Sequence, residues 1–132
     1  MPPLIGACSD ASSKTPAPTP QQLLARGKYL VENVGMCQDC HTPMTPTGPD
    51  PARWLQGAEL VFAPTVPIPD WAAVAPAIAG LPSLEDDEAL SLLTTGALPG
   101  GSTLRPPMPH FRFNQDDAQA VVVYLRSLAT NP

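Results

Sequence analysis

Aromatic residues are scarce in this 132-residue chain, which has three Phe, two Tyr and two Trp, 5% of the total. A chain built this way has little bulky apolar material with which to fill a core. A buried cofactor would supply the missing apolar surface. Charge is also scarce, at 14% of residues, and the balance is acidic at −5. That disfavours nucleic acid as a partner. No apolar run reaches the length of a membrane-crossing helix. No internal repeat is visible, and strand signals are weak throughout.

Proline, by contrast, is abundant, with 19 residues clustered in 2–20, 43–51, 64–82 and 99–109 and one at the terminus. Proline removes a backbone donor and clashes with the preceding helical turn, so the stretches between clusters are the helix candidates: 20–35, 83–95 and 115–129. In the first, Thr19 can cap, Pro20 suits the opening position and Gln22 completes a capping box. Leu23, Gly27, Leu30, Val31 and Val34 then fall on one face, and Gly35 is a natural left-handed stop. The second has Ser83 as cap with Asp86 three residues later, apolar contacts from Leu84, Ala89, Leu90, Leu92 and Leu93, and Gly96 as its end. Glu85 to Glu88 is its charged first turn. The third starts at Asn114 with Asp117 three residues on, and carries Val121, Val122, Leu125 and Leu128 beside Tyr124. The expected fold is all-α: three main helices joined by long, ordered Pro- and Gly-rich loops. Residues 1–19 read as a tail and 20–132 as the folded domain.

Cys37-Gln38-Asp39-Cys40-His41 is C-x-x-C-H. Two thiols two residues apart can each form a thioether to a vinyl group of one haem, and the following His is placed to coordinate its iron. A dithiol redox pair would need βαβ surroundings, which are not visible. A zinc site would need further ligands, and only Cys8 and His110 remain, neither in ligand spacing. An iron that only passes electrons needs a second axial ligand. Met1 lies in the tail, and Met36 and Met44 flank the attachment motif, on the expected His41 side. Met108 is the candidate, in Arg105-Pro106-Pro107-Met108-Pro109, where prolines would hold the thioether with little ordering cost. Two other readings stand beside it: Met108 as plain core filler, and His110 as a rival ligand.

From about Gln21 to Leu128 the chain resembles a class I c-type cytochrome, in particular the cytochrome subunits or modules of periplasmic dehydrogenases. The resemblance rests on Arg26-Gly27-Lys28-Tyr29-Leu30 before the motif, Thr42-Pro43 after it, and Ala75-Pro76 in the central loop. It continues with Leu84 to Leu93, Pro107-Met108-Pro109, and the closing run Ala120 to Leu128. It implies a cytochrome c fold wrapped around one covalent haem c, with Cys37 and Cys40 as attachment points and His41 and Met108 as iron ligands. It also implies that the first and last helices cross, with Gly27 facing Tyr124. The family's central loop often carries Asn-Ile-Thr-Pro where this chain has Ala77-Ile78-Ala79-Gly80, so a polar group near the haem is missing. Arg53 and Trp54 could donate to the propionates; both also read as plain surface and core residues, and Trp71 is equally undecided.

Cys8 stands apart from the motif. Ile5-Gly6-Ala7-Cys8-Ser9 resembles a bacterial lipobox, although only seven residues precede Cys8 and they lack a basic and a full apolar region. The alternatives are a lipidated cysteine, with the Pro-rich stretch up to Pro20 as an extended tether, and a free thiol in a tail. The functional expectation is a non-enzymatic single-electron carrier outside the cytoplasm, in the periplasm, with redox proteins as donor and acceptor and a membrane tether through Cys8. The chain is expected as a monomer or as a subunit of a complex. The alternatives are a fixed electron-transfer subunit of a dehydrogenase or oxidase, and a haem sensor or enzyme with a labile sixth ligand. Arg105, Arg112 and His110 would give the Met108 side a positive rim.

Overall fold

The computed structural model describes residues 15–129. The first helix, α1, spans Pro20–Tyr29. Thr19 Oγ1 accepts from the Gln22 amide at 3.2 Å, and Gln22 Oε1 accepts from the Thr19 amide at 2.8 Å. This is the reciprocal box expected from the sequence. The helix does not run unchanged to residue 34. Leu30–Val34 is a π-helical turn, closed by the Gly35 amide donating to the Leu30 carbonyl at 2.7 Å. The wider turn swings Val34 off the buried face, leaving it 50% exposed. Gly35 is right-handed, with φ −78°, and Met36 takes the positive φ of 50° instead. Space at 35 is tight: a Cβ there would lie 3.2 Å from both Cys37 Sγ and the Leu30 carbonyl oxygen.

A four-residue helix, α2, covers Gln38–His41. The next, α3, spans Asp86–Thr95 and so starts later than expected. Ser83 is not its cap. Glu85 is, because the Glu88 carboxylate reaches back to the Glu85 amide at 2.9 Å. Its end is as expected, with Gly96 left-handed at φ 78°. The last helix, α4, spans Gln115–Ser127, and Asn114 Oδ1 accepts from the Asp117 amide at 2.8 Å.

Helices α1 and α4 cross at Gly27. A Cβ there would fall 1.9 Å from the Ala120 carbonyl oxygen and 2.7 Å from Tyr124 Cβ, so only glycine permits this approach. Arg26 clamps the crossing from outside through both Asp117 carboxylate oxygens, at 2.8 and 3.1 Å. Leu30, Val31, Leu55, Leu81, Ala89, Val121, Val122 and Leu125 form the buried core around it. Arg126 ties α4 to the central loop: its guanidinium donates to the carbonyls of Gly80, Leu81 and Leu84 at 2.7 to 3.0 Å and to Asp86 at 2.8 Å.

Two small antiparallel ladders were not anticipated. Strand β1 (Met44–Thr45) pairs with β2 (Gly48–Pro49), and β3 (Ala58–Glu59) pairs with β4 (Val74–Ala75) in the register Ala58 to Ala75. Two residues are too few to show a period in sequence. The long loop 60–73 leaves β3 and returns to β4. Among the described residues no helix is long and apolar enough to cross a membrane.

Candidate cofactor site

A cavity of about 590 Å³ opens between α2, the central loop and the 104–111 segment. Its size suits a small organic ligand. The walls are mostly apolar, with Ile78, Leu81, Leu84, Leu92, Leu98 and Phe111 among them, and Cys37, Cys40, His41 and Met108 all line it.

The π turn delivers the two cysteines. The Cys37 amide donates to the Val31 carbonyl at 3.0 Å, and α2 then places Cys40 and His41 one turn on, with the His41 amide on the Cys37 carbonyl at 2.9 Å. Burial pushes the Cys37 thiol up to about 11, aided by the nearby Cys40 and Asp39. Burial, with Asp39, also raises Cys40. Both shifts run opposite to the lowered pKa of a dithiol redox pair.

His41 is 5% exposed, and its Nδ1 lies 2.7 Å from the Pro76 carbonyl oxygen. A carbonyl only accepts, so Nδ1 carries the proton and Nε2 keeps a free lone pair for a metal. Burial holds the imidazole below its ordinary pKa and so favours this neutral form, although the hydrogen bond to the Pro76 carbonyl pulls the other way. The carbonyl is brought there by Gly57, at φ 86°, where a Cβ would sit 2.9 Å from the Ala77 amide nitrogen. The exit from α2 is fixed by Thr42 Oγ1 accepting from Leu55 and by the Gly57 amide donating to the His41 carbonyl, both at 2.8 Å.

Met108 enters the same cavity from a proline-framed turn in which its amide donates to the Arg105 carbonyl at 3.1 Å. Its rival does not enter. The His110 ring lies against Gly96, and its Nε2 is 3.3 Å from the Leu104 carbonyl. Met36 also lines the cavity, whereas Met44 sits on β1 outside its wall. Arg53 and Trp54 do not line it either. Arg53 is paired with Asp50 at 2.8 Å, and Trp54 packs against the core. Trp71 meets Phe62 edge-on, with ring centroids 6.0 Å apart. Arg105 is at the cavity wall, but its guanidinium is spent on backbone carbonyls rather than offered as a free positive rim. Cys8 and the lipobox-like stretch lie outside the described residues.

The donor set fits a covalently attached haem. Two thiols share one turn, a neutral histidine keeps Nε2 free, and a thioether and an apolar wall face the same space. Sequence reasoning missed the Pro76 carbonyl as the partner of His41, because a backbone acceptor leaves no side-chain signal. The Ala75-Pro76 pair in the central loop was the nearest sign of it.

The relatives of this chain are c-type cytochromes, which agrees with this arrangement. The chain is 32% identical over 128 residues to the cytochrome c subunit of a quinone alcohol dehydrogenase from Gluconacetobacter polyoxogenes, covering 89% of this chain and 27% of that protein. It is also 32% identical over 130 residues to the gluconate 2-dehydrogenase cytochrome c subunit of Pantoea cypripedii, covering 90% of this chain and 29% of that one. A diheme cytochrome c-type protein of Cereibacter sphaeroides is 54% identical over 33 residues, 24% of this chain and 11% of its own length. The chain thus spans about a quarter to three tenths of the length of the dehydrogenase subunits it matches. No protein-family model matches it.

Proposed function

We propose that this chain is a single-electron-transfer domain carrying one haem c, acting as a cytochrome component of a periplasmic dehydrogenase complex and not as a catalyst itself. Cys37 and Cys40 would attach the group, and His41 Nε2 and Met108 Sδ would hold its iron. When bound, the haem supplies a one-electron ferric/ferrous couple. The chain's own residues keep that couple simple. Pro76 fixes the ring of His41, the apolar wall excludes water, and a soft thioether favours the reduced iron. The observation that carries this reading is the convergence of Cys37, Cys40, His41 and Met108 on one apolar cavity.

The names of the relatives favour a complex subunit over a freely diffusing carrier. Cys8, as the first residue of the mature protein, carries a lipid, and the stretch from Ser9 to Thr19 tethers the domain at 20–132 to the membrane. Purified mature protein is expected to hold one haem per chain that survives denaturing electrophoresis and acid-acetone extraction. His41→Ala should abolish the low-spin spectrum, and Met108→Ala should remove the weak red-edge band of Met-ligated ferric haem. Extraction of free haem, or a band that persists in Met108→Ala while His110→Ala changes the spectrum, would overturn the assignment.

A further inference from the structure

Arg105 stands three residues before Met108 and was expected to be a rim charge. Its Nε donates to the Asp70 carbonyl at 2.9 Å and its Nη2 to the Trp71 carbonyl at 3.2 Å. The fork thus takes two consecutive backbone acceptors with rigidly oriented N–H groups, a geometry that a point-like ammonium matches poorly. Asp70 is left-handed, with φ 59°, a conformation that Asp tolerates better than most residues. One residue further on, the Ala72 amide donates to the Pro106 carbonyl at 2.7 Å, so the two segments hold each other in both directions. The turn then closes through the Met108 amide on the Arg105 carbonyl. Core packing offers loop 60–73 little support: Val61 is 71% exposed and Val66 64%. Three hydrogen bonds join the two segments.

We propose that Arg105 is a positioning residue: with Ala72 and Pro106 it clasps the Met108 segment to loop 60–73 and sets how often that segment swings away. The proposal rests on Met108 being an axial ligand. An external ligand that competes for the iron can bind only when the segment is open, so its apparent affinity reports the open fraction.

The test is imidazole titration of the ferric holoprotein, followed by loss of the Met-ligation band. Arg105→Gln and Arg105→Lys should both retain the band without imidazole and should half-saturate at about tenfold lower concentration, the expected effect of losing two partly exposed hydrogen bonds. Arg112→Ala should titrate like the wild type. A Lys variant indistinguishable from wild type would show that charge matters and the fork does not, which overturns the proposal. Unchanged affinity in both variants overturns it too. If the variants fail to fold, amide exchange on the wild type decides: saturating imidazole should speed exchange at Ala72, and an unaltered Ala72 rate refutes the clasp. A wild type with no Met band would refute Met108 ligation itself, and so is distinguishable from failure of the clasp alone.

Discussion

Replacing Gly27 by Ala adds one carbon where two backbones already touch. The new Cβ would lie 1.9 Å from the Ala120 carbonyl oxygen, 2.6 Å from its carbon and 2.7 Å from Tyr124 Cβ. A carbon and a carbonyl oxygen ordinarily settle at about 3.3 Å or more, so α1 and α4 must part by more than about 1 Å. The clashing atoms are mainly backbone and cannot rotate aside. A gap of that size forfeits a quarter to a half of each dispersion contact along the crossing, and overpacked sites lose about 1–3 kcal/mol or more. Ala is the better helix former by about 1 kcal/mol, which offsets part of the loss. The net expectation is a destabilisation of about 2 kcal/mol, or a fall in Tm of roughly 10 °C for a domain of this size. Thermal unfolding of the haem-loaded protein by far-ultraviolet circular dichroism measures it. Gln21→Ala, on the exposed face of the same helix, serves as the control and should stay within about 0.5 kcal/mol of wild type. A Gly27→Ala protein that melts at or above the wild-type temperature would mean that only the helix-propensity gain is felt and that the close crossing is wrong.

Tyr124 gives a pH-dependent expectation. Its hydroxyl donates to Glu32 Oε1 at 2.6 Å, and burial, reinforced by that carboxylate, pushes the phenol up to about 12 from 10. A raised folded-state pKa means that its contribution is complete below pH 10 and is lost as pH climbs towards 12. Tyr124→Phe should cost about 1–2 kcal/mol at neutral pH and should close the gap to wild type over that alkaline window; urea midpoints that run parallel from pH 9 to 12 would refute this. For Cys8, expression of the full gene in a bacterial host followed by fractionation should find the cytochrome in the membrane and, by mass spectrometry, an acylated N-terminal cysteine, while Cys8→Ser should leave the membrane fraction as soluble protein or persist as uncleaved precursor. A soluble wild type with an unmodified thiol would remove the anchor.

The helix ends that use side chains were readable in advance. Thr19 with Gln22, and Asn114 with Asp117, each signal a cap through residue type and spacing, and Gly96 signals a stop because its conformation excludes a Cβ. Ser83 misled because an equally suitable carboxylate pair, Glu85 and Glu88, lay just beyond it. The π turn was invisible, since one widened turn leaves the apolar spacing up to Val31 intact and alters only Val34. The cysteine motif and Met108 were readable as chemistry, but their meeting in one cavity is a fact of tertiary structure. Contacts that depend on backbone carbonyls escaped notice altogether. Pro76 beside His41, the carbonyls under Arg105 and those around Arg126 have no residue identity that marks them.

The crossing of α1 and α4 also orders events in time. Its clamp joins Arg26 to Asp117, 91 residues apart, so the domain closes only once almost all of the folding chain has emerged. A chain threaded out N-terminus first exposes Cys37, Cys40 and His41 well before α4 exists to lock α1 in place. Synthesis therefore leaves an interval in which both thiols stand outside a closed fold, and the arrival of the last helix ends it.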